Sequence, residues 1–207
     1  GSKVTLSDSA DRLLPLHDSR AAKIATESLL RDGVQIELSS EKVAQEDLRK
    51  YDCVILCSPR VPDLNPLSLD EAKIALELDG RLCVNEKFQT TNPRIFACGS
   101  VISREPSAHE SQAQARCVIG NALFLAGHVQ SELVSPRVIY TDPEIATVGF
   151  TPEDTAAQSL EETSLEHPDQ GYLRIVHNRK GDILGAVMVA RNASELIGEI
   201  VLAMNHQ

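Results

Sequence analysis

The sequence predicts an α/β first half followed by an α+β C-terminal part. Three observations carry that expectation. Strand-, helix- and strand-like segments alternate over residues 3–57, the succession from which an α/β layer is built. The run Cys53-Val54-Ile55-Leu56-Cys57 is apolar throughout, which suits a parallel strand covered on both faces. Toward the C-terminus, two alternating segments separated by a glycine-containing turn precede an amphipathic helix.

Lys3-Val4-Thr5-Leu6 reads as a short strand ending at Asp8. Asp18 or Ser19 is placed to cap a helix with Ala21, Ile24, Ala25 and Leu29 on one face, stopped at Gly33. Val34-Gln35-Ile36-Glu37-Leu38 alternates as a strand does. A polar stretch over 39–50 precedes the apolar run at 53–57, after which Pro59, Pro62 and Pro66 break regular structure. Residues 81–84 and 94–98 are short strand candidates, the second running into Gly99. A helix rich in Ala and Gln is expected over 109–126, closed by Gly127. Strand character returns at 138–140 and 145–148. Between Pro152 and Asp169 lie six acids and no Lys or Arg, the composition of a solvated segment. Segments 172–176 and 183–189 flank Asn178-Arg179-Lys180-Gly181-Asp182, a hairpin signal. Ala193, Leu196, Ile197, Ile200, Val201 and Met204 then form one apolar stripe, and Asn192 with Glu195 resembles a capping box at its start. The shift in character puts the main boundary near Ser135-Pro136.

Composition excludes several function classes. The chain has 207 residues and a formal net charge of −10, with 30 acids against 20 Lys and Arg. Phosphate-rich partners demand basic patches, so neither nucleic acid nor an anionic membrane is expected as a partner. Aromatics are 3% and Trp is absent, which argues against base-stacking platforms. No apolar run approaches the ~20 residues of a membrane span. Gly1-Ser2 reads as a cloning remnant, and no signal peptide is expected. The five cysteines, Cys53, Cys57, Cys83, Cys98 and Cys117, show no CxxC pair and no zinc spacing. In a strand, Cys53 and Cys57 would stand about 13 Å apart, beyond the roughly 7 Å that a disulfide spans. They are expected to be buried thiols in a reducing compartment, cytoplasmic or organelle stroma or matrix. The six histidines form no HxxxH or HxH pattern, so no metal site is expected. Asp142-Pro143-Glu144 places two carboxylates together in a loop, where a turn role is favoured over catalysis.

The order of segments carries a resemblance. Lys3-Val4-Thr5-Leu6 with Asp11-Arg12-Leu13-Leu14-Pro15, and Thr90-Thr91-Asn92-Pro93-Arg94-Ile95-Phe96-Ala97-Cys98-Gly99, resemble the FAD-dependent pyridine nucleotide–disulfide oxidoreductases, among them dihydrolipoyl dehydrogenase and mercuric reductase. His109-Glu110-Ser111-Gln112-Ala113-Gln114-Ala115-Arg116 leans toward the mercuric-reductase-like branch. Tyr140-Thr141-Asp142-Pro143-Glu144-Ile145-Ala146-Thr147-Val148-Gly149 resembles the entry to the family's dimerisation domain, and Ile183-Leu184-Gly185-Ala186 and Ser194-Glu195-Leu196-Ile197 its later hairpin and helix. The likeness runs across nearly the whole chain in the family's order. It implies partial Rossmann-like nucleotide-binding layers followed by an α+β dimerisation domain. The segments would be an NAD(P)-binding-like part at 3–60, an FAD-domain return segment at 61–135 and a C-terminally incomplete dimerisation domain at 136–207.

What the family needs can be checked motif by motif. Its members pass a hydride from NAD(P)H to FAD, which reduces a redox-active disulfide. Each dinucleotide requires a Gly-rich turn that brings backbone against pyrophosphate; the sequence contains no GxGxxG, and the resemblance puts both turns before Lys3. The family's cysteine pair has four intervening residues, a spacing absent here. Its His–Glu acid/base pair lies beyond the final helix, so His206 reads as a helix-end histidine suited to the dipole. Asp8 falls where the family places an acid that bonds the adenosine ribose. Gly99 is followed in the family by an Asp that accepts from the FAD ribitol; here Ser100 stands there, without charge assistance. The family's Ala-Thr-Gly becomes Cys57-Ser58-Pro59, and proline lacks both the N–H and access to positive φ. The intervals 34–53 and 151–172 are also shorter than the family's. The implied cofactors are therefore FAD and NAD(P), with Gly99, Ser100 and Asp8 at family contact positions and tight FAD binding not expected. No catalytic residue and no metal ligand is assigned. Three roles follow: part of an active flavoenzyme, a degenerate scaffold that dimerises through 136–207 or joins another protein partner, or a generic α/β regulatory domain with incidental likeness.

Overall fold

The computed structural model describes residues 1–40, 48–57, 61–103, 107–150, 160–167 and 171–206. The chain divides into two units, one of Gly1–Cys57 with Val138–Gln207 and one of Ser58–Arg137.

In the first unit, β1 (Thr5–Ser7) and β2 (Gln35–Glu37) pair in parallel with Leu6 opposite Ile36. Between them runs α1 (Ser19–Arg31), capped as its sequence predicts: the Asp18 side chain accepts from the Ala21 amide at 2.8 Å. Gly33 at φ +84° ends the reversal, with Val34 N–H bonding the Leu29 carbonyl. The C-terminal part is a five-stranded sheet in the order β3-β4-β7-β6-β5, antiparallel from β4 to β5, formed by β3 (Arg137–Ile139), β4 (Glu144–Gly149), β5 (Glu161–His167), β6 (Gly171–His177) and β7 (Ile183–Ala190). The β6–β7 turn is held by Asn178, whose side-chain oxygen accepts from Lys180 and Asp182 amides. That is the local bonding for which Asn is selected in turns.

Alternation divides the sheet between two helices. Ile145, Tyr172, Val187 and Val189 pack with Ala21 and Ala25 of α1. Their neighbours Ala146, Val148 and Ala186, all buried, point the other way, and the final helix Ala193–Asn205 packs on β4 and β7. Of its apolar stripe, Ala193, Ile197 and Ile200 are buried within the chain, whereas Leu196 is exposed.

The second unit contains α2 (Leu69–Ala72), a 3-10 turn at Gly99–Val101 and α3 (Ala108–Phe124); the final helix, Ala193–Asn205, is then α4. Leu82, Phe88, Ala97 and Ile102 form its core, with Cys117 and Val118 of α3 against them. The strand candidates at 81–84 and 94–98 are reduced to single bridges, Val84 with Thr90 and Phe96 with Gln89.

Several expectations are corrected. Residues 53–57 are neither strand nor buried: Val54, Ile55 and Leu56 are 44%, 80% and 84% exposed. A parallel strand needs a hydrogen-bonded neighbour, and among the described residues none pairs with this run. Cys53 and Cys57 are accordingly exposed, and Cys83, Cys98 and Cys117 only partly covered, so the expectation of buried thiols fails. The acidic segment carries β5, an edge strand whose charged residues face solvent, where Glu is tolerated and discourages further pairing. Helix α3 stops at Phe124, and Leu125 rather than Gly127 takes the left-handed cap conformation. Asn192 has left-handed φ of 61° and makes no side-chain cap. Ser58 and Pro59, and most of the interval 151–172, lie outside the described residues.

Candidate functional site

The Asn192 correction leaves a helix start without its own cap, and the sheet supplies one. Glu144, the first residue of β4, accepts from the Ser194 amide at 2.9 Å. Two bonds, first from the Ser194 backbone and then from its hydroxyl, hold the Glu144 carboxyl below the usual carboxylate range. Glu144, the last residue of Asp142-Pro143-Glu144, thus ties α4 to β4. Since the folded value is depressed, this contribution is present above the unfolded carboxyl range and lost as pH falls through the folded value. Glu144→Gln is therefore expected to lower the urea midpoint at neutral pH, with the gap from the parent chain closing in acid. Parallel urea titrations at several pH values measure it.

Facing the other end of the sheet, α1 meets β6 through charges. Asp18 is 2% exposed; one carboxylate oxygen caps α1 and the other receives Arg174 at 3.3 Å. Arg174 also pairs with Glu162 on β5, and Arg20 of α1 pairs with Glu166 while its guanidinium lies 5.8 Å from the Tyr172 ring centre. Burial first, and then the Asp18 carboxylate, push the Tyr172 phenol up. Every charge in this set has a partner, so it reads as an assembly contact.

The family positions are placed as follows. Asp8, at the end of β1, accepts from the Ala10 amide at 2.9 Å, while its backbone bonds the Glu37 carbonyl and the Ser40 amide. Its carboxylate closes an Asx turn. Gly99 and Ser100 open the 3-10 turn in the second unit. Gly99 is buried at φ +80°, a conformation that favours glycine, and a Cβ there would stand 3.3 Å from the Ser111 hydroxyl. Its amide donates to the Gln114 Oε1 at 2.6 Å, and its carbonyl accepts from Ile102 and Ser103. Ser100 is exposed.

The sequence assigned no role to Gln114, Glu110 or Asn121, the first two of which lie in the 109–116 stretch that carries the resemblance. Gln114 is 1% exposed although polar, and Asn121 is buried while bonding Lys87 and His128 backbone. The signal available was three polar residues at helical spacing on a face that also carries Cys117 and Val118.

A dinucleotide needs groups left open to it. Among the described residues no buried side-chain nitrogen or oxygen lacks a partner, and both polar groups of Gly99 are taken. At the turn, the exposed Ser100 is the position left open. Among the described residues no cluster of three His, Cys, Asp or Glu could hold a metal ion, and no helix is long and apolar enough to cross a membrane.

The family profile described as pyridine nucleotide-disulphide oxidoreductase matches residues 1–115, and that of the same family's dimerisation domain matches 135–207. Among curated relatives, dihydrolipoyl dehydrogenase of Bacillus subtilis is 30% identical over 234 residues, covering 99% of this chain and 50% of that protein. The mitochondrial dihydrolipoyl dehydrogenase of Pisum sativum is 27% identical over 237 residues, covering 100% of this chain and 47% of the relative. The solved HOCl-induced flavoprotein disulfide reductase RclA of Escherichia coli shares the fold with a TM-score of 0.80 at 22% identity, over 100% of this chain and 53% of that one. The chain spans about half the length of the curated relatives it matches.

Proposed function

Because the chain belongs to the pyridine nucleotide–disulphide oxidoreductase family, we propose that these 207 residues provide the dimerising scaffold of that architecture and do not themselves reduce disulfides. Members of the family bind FAD and NAD(P), and bound FAD relays electrons from NAD(P)H to a disulfide. The observation that carries the proposal is a contrast. The dimerisation sheet is assembled from β3 to α4 with its core buried. Yet the sequence holds no GxGxxG turn and no two cysteines with four residues between them. In this reading residues 3–60 are a partial NAD(P)-binding-like segment, 61–135 the FAD-domain return and 136–207 the dimerisation part. Asp8 serves its turn, and no catalytic residue is assigned.

The partner is a second copy of the chain. Across the sheet, Ala146, Met188, Leu173 and Leu165 stand in one cross-strand row. Ala146 is fully buried, whereas Leu165 at the edge is 70% exposed. Helix α4 packs on β4 and β7, and Leu173 and Leu165 extend that apolar face beyond them. An apolar row continuous with a packed core is the composition of a homodimer interface. Leu173→Asp is expected to raise the dimer dissociation constant at least about tenfold with unchanged far-UV dichroism; unchanged association in sedimentation equilibrium overturns the interface.

A second reading, part of an active flavoenzyme, is favoured by the half-length coverage of the relatives. The assay that separates the two is NADH or NADPH consumption with a small disulfide and added FAD. The scaffold reading expects no rate above that without protein, and turnover with bleaching of a flavin band overturns it. The exposed free thiols of Cys53 and Cys57 support a reducing compartment, cytoplasmic or organellar.

A further inference from the structure

We infer that Gln114 is the resident partner of the Gly99 turn, closing it into a self-sufficient lock that holds its shape without a dinucleotide. Four residues complete a ring of hydrogen bonds. The Gly99 amide donates to Gln114 Oε1 at 2.6 Å, and Gln114 Nε2 donates to Glu110 Oε1 at 3.1 Å. The Ser103 hydroxyl reaches Glu110 Oε2 at 3.4 Å, and the Ser103 amide returns to the Gly99 carbonyl at 3.1 Å.

The chemistry admits one orientation of the Gln114 amide. An N–H can only donate, so the oxygen must face Gly99; a carboxylate can only accept, so the nitrogen must face Glu110. Arg137, 3.8 Å from Glu110 Oε2, adds a charge partner at the ring's outer side. Gln114 is 1% exposed, so it cannot swing into water without breaking its bonds to Gly99 and Glu110 and opening the packing that buries it. A ligand that needed the Gly99 amide would have to displace a buried side chain and leave its amide unpaired. The ring lies within the second unit, so Gly99 exchange in the parent chain and in Gln114→Leu tests it apart from dimerisation and turnover.

The test is amide hydrogen exchange at Gly99, followed by NMR on the full chain with and without FAD. The parent chain is expected to show a protected Gly99 amide whose shift and exchange FAD leaves unchanged. Gln114→Leu is expected to speed that exchange at least about tenfold. Gln114→Glu keeps an acceptor for Gly99 but sets a second carboxylate against Glu110. Its Gly99 exchange is expected to lie between that of the parent chain and that of Gln114→Leu. An unprotected Gly99 amide in the parent chain, a Gln114→Leu variant with parental exchange, or added protection by FAD each overturns the inference.

Discussion

Gly185→Ala is expected to destabilise the chain by about 3 kcal/mol. Gly185 of β7 lies opposite Gly149 of β4. A Cβ on Gly185 would stand 2.1 Å from the Phe150 carbonyl oxygen and 2.6 Å from its nitrogen. Both are backbone atoms, so no side chain can rotate away. The Phe150 amide bonds the Leu184 carbonyl at 3.0 Å, and moving that strand end breaks the bond. Gly149 is constrained twice over, with φ +65° and a Cβ site 2.1 Å from the Leu184 oxygen. Gly198 supplies the opposite control. It lies exposed within α4 with nothing within 4 Å of a built Cβ, so Gly198→Ala should stabilise by about 0.5 kcal/mol or slightly more. Urea unfolding followed by far-UV dichroism measures both, and a neutral Gly185→Ala variant would refute the β4–β7 register.

Asp18→Ala is the second large effect, expected near 3 kcal/mol. The substitution removes two interactions from one buried side chain, the cap on the Ala21 amide and the pairing with Arg174. Arg174 retains Glu162, which holds the loss to the lower end for a broken buried pair. Asp18→Asn keeps an oxygen for the cap and forfeits the charge, so about 1.5 kcal/mol should be lost. Equal losses for the two variants would mean that the cap on Ala21 contributes nothing, whereas an Asp18→Asn variant as stable as the parent would mean that Arg174 contributes nothing and that α1 is held to the sheet by Ala21 and Ala25 packing alone.

The features that were legible in the sequence are those whose cause is local. Asp18 caps the helix it immediately precedes, Gly33 ends it, and Asn178 bonds amides two and four residues on. The α4 stripe placed Ala193, Ile197 and Ile200 on the covered side because helical period alone fixes a face. What failed depended on distant partners. Asn192 resembles a cap, but the acceptor that reaches Ser194 is Glu144, fifty positions earlier. Residues 53–57 have the composition of a buried strand, and composition does not specify a neighbour to pair with. Strand β5 was hidden by its own charges, since an edge strand may be polar on both faces. At the candidate site, the family positions Gly99, Ser100 and Asp8 could be located by motif. The ring through Gln114 and Glu110 could not, because it joins a turn to a helix face across intervening chain.

The central claim is that this chain assembles as a dimer without holding flavin. Sedimentation velocity of the purified chain mixed with FAD tests it, read in the peptide band because the chain has no Trp and in the flavin's visible band. The expected result is one boundary at twice the 22.5 kDa chain mass, with visible absorbance remaining unsedimented. A boundary at the single-chain mass across micromolar concentrations, or visible absorbance moving with the protein, would contradict it.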